Sequence, residues 1–417
     1  MKKFILLFFL ILIHYSLLIE NCSAQSGWYP QNSGTNSTLI SVHFIDSQTG
    51  WAAGSIGLIL KTTNGGTNWM PHSVDSVIFF ASVFFIDSQT GWATGYHGAI
   101  AKSTNGGNNW VLQLSGTLNT LESVYFVNSL TGWTAGLYGT ILKTTNGGNN
   151  WFPQINSSIS FQSIFFTNSQ TGWASGNGDT IYNSTNGGIN WISQPAGVTG
   201  NLYSICFLNP QTGWIVGSNN IILRTTSGGT YWTPIIIYLV DPHSVKFANS
   251  QTGWIVGTEG KIFKSTTGGM EWIQQISGTA NQLNCAFFAD SLTGWAVGLN
   301  GTIIKTTNGG SVFVRNISNE IPDKFSLLQN YPNPFNPSTK IRFDVVQHTP
   351  DPLSRGEFVT LKVYDITGRE IQTLVKEKLN PGTYEVAFDG SNFASGVYFY
   401  RLRSGEYVET RKMVLLK

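Results

Sequence analysis

The chain has 417 residues, with 24 Lys and Arg against 22 Asp and Glu and a formal net charge of +2. Aromatic residues make up 13% of it and charged residues only 11%. So even a balance excludes a basic nucleic-acid surface or an anionic-membrane patch as its organising feature, and the length allows two or three domains.

In chain order, the first feature is a leader. Lys2 and Lys3 precede an apolar stretch over residues 4–19, and Cys22-Ser23-Ala24 places small residues before Gln25. Residues 1–24 therefore read as a signal peptide. His14, Tyr15 and Ser16 make the stretch a poor membrane span, and Glu20-Asn21 is the wrong approach to a lipidated Cys22. No later segment is long and apolar enough to span a bilayer.

Next comes a repeat. Gly-Trp pairs end at Trp51, Trp92, Trp133, Trp173, Trp214, Trp254 and Trp295, at gaps of 40 or 41 residues. A second tryptophan follows each of the first six by 18 residues, at Trp69, Trp110, Trp151, Trp191, Trp232 and Trp272, while the seventh has Phe313 there. Trp28 lies 23 residues before Trp51, and the other second tryptophans precede the next pair by 22 or 23. A fixed period in the forties means a stacked or radial array.

Each unit holds four short β runs separated by glycine turns, as in the third: residues 123–127, a run from Trp133, residues 140–143 and a run from Trp151. Four antiparallel strands repeated seven times predict an all-β fold, a seven-bladed β-propeller with four-stranded blades over residues 25–313. An open array leaves a free sheet edge, so Trp28-Tyr29-Pro30-Gln31 is expected to supply the outer strand of the seventh blade, with Phe313 the rival. The first run repeats an apolar pair, from Val42/Phe44 to Cys285/Phe287. The residues between are His43, Phe84, Tyr125, Phe165, Cys206, Lys246 and Ala286, so this strand is expected to be buried on both faces. Cys206 and Cys285 then fall at adjacent strand positions facing opposite sides, which predicts free thiols.

The turns are equally patterned. Between the second and third runs, one position reads Gly57, Gly98, Gly139, Asp179, Asn220, Gly260 and Gly301, residues that tolerate a left-handed backbone. Positive φ is predicted at all seven. The turn after the third run, Thr62-x-Asn64-x-Gly66-x-Asn68-Trp69, resembles the Asp-box of the BNR-repeat propellers. Asparagine stands in place of its aspartate in five repeats (Asn64, Asn105, Asn146, Asn186, Asn308) and Ser227 and Thr267 in two. A neutral amide supplies no charge to a metal, so these turns are expected to be structural, with no metal and no cofactor.

Connectivity puts the near-identical turns on one face of the disc and the variable ones on the other. Loops that diverge without disturbing the blades are where a specific site belongs. Tyr96, His97, Tyr138, Asp179 and Glu259, on the varied face, are the candidate ligand-binding residues. No catalytic residue emerges. The Asp-box propellers include sialidases, which hold a substrate carboxylate with three arginines, and Arg224 is the only arginine in residues 25–313. Other glycoside chemistry needs two facing carboxylates. Asp75, Glu122, Asp179, Asp241, Glu259, Glu271, Asp46, Asp87 and Asp290 show no pairing, and His43, His72, His97, His243 and His348 have no metal spacing.

Across residues 28–313 the pattern Gly-Trp-x-x-Gly-x-x-Gly-x-Ile-x-Lys-Thr-Thr-Asn-Gly-Gly-x-x-Trp resembles the photosystem II stability/assembly factor-like propellers. That resemblance implies a scaffold that binds protein partners; its members use an arginine-rich patch, which this chain lacks.

The tail has a different character. Residues 25–313 carry 8 basic and 9 acidic side chains, and residues 320–417 carry 13 and 12 in a third of the length. Residues 314–329 read as a linker, and residues 330–417 as six or seven alternating strands of a small, Ig-like β-sandwich, which Tyr331 to Pro337 caps at its start. Tyr331, Pro332, Pro334, Gly396, Tyr398 and Lys417 mark motifs that resemble the C-terminal sorting domain of type IX secretion substrates, apart from a longer loop at residues 347–357. The resemblance implies the type IX machinery as partner and delivery to the outer surface of a Gram-negative cell, or release from it. The whole reads as a secreted monomeric binding or scaffold module for a protein or glycan. A photosystem assembly scaffold and an Asp-box glycoside hydrolase are the alternatives.

Overall fold

The computed structural model describes residues 27–74, 78–155, 157–235, 241–310, 314–318, 320–346, 357–390 and 393–417. The leader, Asp75, Phe313 and most of the loop at 347–357 lie outside the described residues. The chain divides near residue 311 into two compact units.

The first unit is a propeller of seven four-stranded antiparallel sheets. In the third blade the strands are Leu121–Phe126, Gly132–Gly136, Thr140–Thr144 and Phe152–Pro153, from the axis outward. The last blade takes its outer strand, Tyr29–Gln31, from the chain's start: Tyr29 pairs with Lys305 and Gln31 with Ile303. Trp28 therefore occupies the place of a second tryptophan.

Three interactions join each blade to the next. The indole of the Gly-Trp pair stacks flat on the phenyl ring of the following blade's inner strand, as in Trp51 on Phe85 at 3.4 Å, Trp133 on Phe166 at 3.6 Å and Trp295 on Phe44 at 3.6 Å. The same indole's Nε1 donates to a glycine carbonyl in the next Asp-box turn: Trp51 to Gly106 at 3.1 Å, Trp133 to Gly187 at 3.1 Å and, across the seam, Trp295 to Gly65 at 3.0 Å. The second tryptophan meets that phenyl ring edge-on, as Trp69 does Phe44 at 5.8 Å. Trp28 does the same to Phe288 at 5.7 Å and 90°. Nearer the axis, a serine of the inner strand in each of the first six blades accepts the N–H one position past its own equivalent in the next blade. Ser41 takes Val83 at 3.1 Å and Ser204 takes Val245 at 3.3 Å.

That phenyl ring corrects the register of the seventh repeat. Phe288, not Phe287, stacks on Trp254 (3.6 Å), and Ala286 is the buried partner. Cys285 then replaces the stitching serine, Phe287 takes the position of His43, and the two cysteines stand two positions apart in their strands rather than adjacent. Both are free thiols.

The second unit is a sandwich of two four-stranded sheets, ordered Val314–Ser318, Gly382–Asp389, Ser338–Val345, Ser326–Leu327 in one and Glu370–Leu379, Glu357–Tyr364, Gly396–Ser404, Tyr407–Leu415 in the other. Two of these strands lie in the stretch expected as a linker: Val314–Ser318 pairs with Gly382–Asp389, and Ser326–Leu327 with Ser338–Val345. Two-residue to five-residue runs without strong alternation left them illegible as strands. The Pro-rich cap reaches both sheets by single bridges, Tyr331 to Lys340 and Phe335 to Leu415, and Phe335 is buried.

Replacing Trp133, fully buried, by alanine is expected to cost roughly 3–5 kcal/mol. Trp28→Ala should cost a comparable amount, because it opens the ring. Urea titration of each variant checks both, and an unchanged midpoint for Trp28→Ala would place the closing contact elsewhere.

Candidate functional site

The predicted candidates sit on the turns between second and third strands. Positive φ occurs at all seven positions expected, from Gly57 at 64° through Asp179 at 72° to Gly301 at 66°. The preceding residue is left-handed as well: Ile56 62°, His97 56°, Tyr138 53°, Glu259 53°. Two successive positive φ values make a type I′ turn, which favours Asn-Gly. Ile56, His97, Tyr138 and Glu259 hold that first place against their own preference. Glycine at the second place has a packing reason too: a Cβ on Gly98 would lie 1.9 Å from the Thr117 carbonyl oxygen, and on Gly301 1.9 Å from that of Thr35.

The structure does not bring the five candidates together. Tyr96 and His97 are on blade two, Tyr138 on three, Asp179 on four and Glu259 on six. Tyr96 stacks on Phe79 (5.4 Å), and Asp179 accepts the Ala196 N–H at 2.8 Å, a structural use of its carboxylate. The Asp-box turns are fully engaged as turns. Asn64 Oδ1 accepts the Asn68 N–H at 2.9 Å, and the hydroxyls of Ser227 and Thr267 accept the equivalent N–H of Tyr231 and Glu271. Arg224 is structural as well, donating to Gly268 O at 3.0 Å as Lys143 does to Gly187 O at 2.7 Å.

Sequence reasoning missed the axial channel. All seven inner strands line a cavity of about 860 Å³. Every inner strand carries a bulge at its second residue, between Leu39 and Ser41 in blade one and between Leu121 and Ser123 in blade three. A bulge leaves its residue unpaired and re-aims the side chain. The seven bulge residues are Ile40, Ala81, Glu122, Gln162, Tyr203, His243 and Asn284, and all line the channel. No two are alike in a strand whose other columns repeat more closely, and that variable column was the available signal.

Three residues further along lies a collar. Phe287, His43, Phe84, Tyr125 and Phe165 form a continuous arc with ring centroids 5.1, 4.6, 5.1 and 4.9 Å apart. Cys206 and Lys246 complete the circle. The strand is thus buried between blades on one side and faces the axis on the other, rather than being packed on both. Burial, with Lys246 nearby, holds the His43 imidazole down to about 3, against a partly offsetting bond from Nε2 to the Phe85 carbonyl at 2.9 Å. Burial pushes the Tyr125 hydroxyl up to about 12, with Cys206 adding to the rise, and raises the Glu122 carboxyl. His243 is lowered by burial, against a pull from Asp241; it stacks on Tyr203 at 5.4 Å, and its Nε2 is buried with no hydrogen-bond partner. Among the described residues no cluster of His, Cys, Asp and Glu could hold a metal, and no helix is long and apolar enough to cross a membrane.

Fold and turns together define a seven-bladed propeller of the BNR type followed by a sorting domain. Residues 20–118, 152–226, 192–275 and 238–333 match the Photosynthesis system II assembly factor YCF48 family, and the chain belongs to that family. Residues 329–416 match the secretion system C-terminal sorting domain. The protein is thus a type IX secretion substrate, delivered to the cell surface or beyond it. Similar solved structures include YCF48 bound to D1 peptide, at 18% identity and TM-score 0.60, covering 68% of this chain and 97% of that one. YCF48 from Cyanidioschyzon merolae aligns at 20% and 0.58, covering 67% and 98%. The WD40 propeller domain of Doa1 aligns at 11% and 0.58, covering 67% and 97%. No match was found among curated proteins.

Two outcomes follow from the site's geometry. Ile56 is exposed, β-branched and left-handed, so Ile56→Asn should stabilise the protein by about 1 kcal/mol, read as a higher melting temperature. His43 stays neutral when folded down to about pH 3, whereas the unfolded chain protonates it near pH 6.5. The unfolded state thus binds more protons in that window, so stability is lost as the pH is lowered from about 6.5 towards 3, by up to about 1.4 kcal/mol per unit. His43→Phe should flatten that slope in urea titrations across the window; an unchanged slope would mean that His43 titrates normally.

Proposed function

We propose that the protein is a non-enzymatic binding scaffold that works outside the cell and receives its ligand at the channel mouth lined by the bulge residues. The observation that carries this reading is the variable column itself. Five of its seven positions depart from an apolar strand residue: Glu122, Gln162, Tyr203, His243 and Asn284 offer polar groups around one opening. A few polar groups converging in an otherwise apolar cavity is the usual form of a ligand site. The exposed turn residues Tyr96, His97, Tyr138 and Glu259 surround the centre on their own blades and would add contacts to a larger protein or glycan ligand. A related propeller solved with a peptide bound supports a protein partner.

The non-catalytic half of the reading rests on how the acids are used. Asp46 and Asp87 each accept two backbone N–H groups within their turns, Asp179 braces the outer strand, and Glu122 is the single acid among the channel-lining residues. Glycoside hydrolysis needs two carboxyl groups across the scissile bond.

Screening the mature protein on glycan arrays and against surface proteins of its own cell tests the proposal. Tyr203→Ala is expected to weaken the ligand so found by about tenfold with the melting temperature unchanged. Turnover of a chromogenic glycoside that disappears in Glu122→Gln would overturn the non-enzymatic reading.

A further inference from the structure

The collar is built asymmetrically. Five neighbouring blades contribute rings in mutual contact, and the arc stops at blades five and six, where the small Cys206 stands beside the one cation lining the channel, Lys246. The Lys246 backbone pairs with Trp254, but its ammonium makes no hydrogen bond or ion pair with another described residue. Its charge reaches the axis, since it bears on both His43 of blade one and Cys206 of blade five. Glu122 does not neutralise it: that carboxyl lies across the channel on blade three, and burial alone accounts for its raised pKa. The Lys246 ammonium is the one positive group presented to the axis, and the ring faces of the arc suit a flat or apolar body.

We infer that the inner end of the channel is a receptor for a carboxylate, held by Lys246, on a ligand whose flat or apolar body lies against the aromatic arc. This rests on the channel being the binding site proposed above. One lysine matches one negative charge, and a phosphate dianion would leave an unbalanced negative charge at the collar. The polar bulge residues then meet whatever part of the ligand projects from the mouth.

The test is calorimetric titration of the mature full-length protein with two matched pairs, 3-phenylpropionate against 3-phenylpropanol and glucuronate against glucose. The pairs separate an aromatic acid from a sugar acid. At least one acid should bind about tenfold or more tighter than its neutral partner, the worth of one charge-assisted contact. Lys246→Met should abolish that preference with the melting temperature kept, and Lys246→Arg should retain it. An acid preference that survives in Lys246→Met overturns the assignment. Equal binding of acid and neutral partner, weakened together by Tyr203→Ala, overturns the carboxylate while leaving the binding scaffold intact. No heat from either acid overturns it as well, and the array screen then decides the scaffold reading separately.

Discussion

The propeller depends on one contact made seven times: an indole lying flat on the next blade's phenyl ring while its N–H reaches that blade's Asp-box carbonyl. The face of the indole fixes how far apart two blades sit, and its edge fixes their height and rotation. A stack alone would slide, and a single hydrogen bond would pivot. Made together, the two constraints determine the angle between blades, and seven equal angles close a circle. The bulges therefore fall at one level around the axis and the collar at another. The channel is a product of this geometry, and the bulge and collar positions vary from blade to blade while the stacked indoles and the inner-strand serines keep the blades in place.

Most of the architecture was legible in the sequence because the residues that carry this contact are large, rare and evenly spaced. Trp28 could be read as a displaced member for the same reason, since its distance to Trp51 matches the others. The seventh register was misread because Phe287 and Phe288 adjoin, so Cys285-x-Phe287 imitates the repeated pair. The distance of seven residues from phenylalanine to tryptophan, constant in all blades, separates the two.

The channel was harder to see. His43, Phe84, Tyr125 and Phe165 look like core residues, and chemically they behave as such, because rings lining a narrow axis pack on one another. Apolarity alone does not distinguish a residue buried against the next blade from one facing six counterparts across an axis. The bulge residues lay outside every repeated motif and so drew no notice, although a column holding Ile, Ala, Glu, Gln, Tyr, His and Asn in a strand of near-copies is itself informative. In the tail, the Pro-rich motif was legible while the two short strands ahead of it were not, because strands of two and five residues take their identity from partners distant in sequence.

Tyr29–Gln31 pairs with residues 303–305, so the first residues of the propeller have no partner until nearly all of it exists. A product truncated before that point keeps two raw sheet edges and an unstacked Trp28. Ring closure thus acts as an inspection of completeness: only a finished chain presents no loose strand to proteases or to other chains. For a protein that works beyond the reach of intracellular chaperones, that inspection is written into the fold.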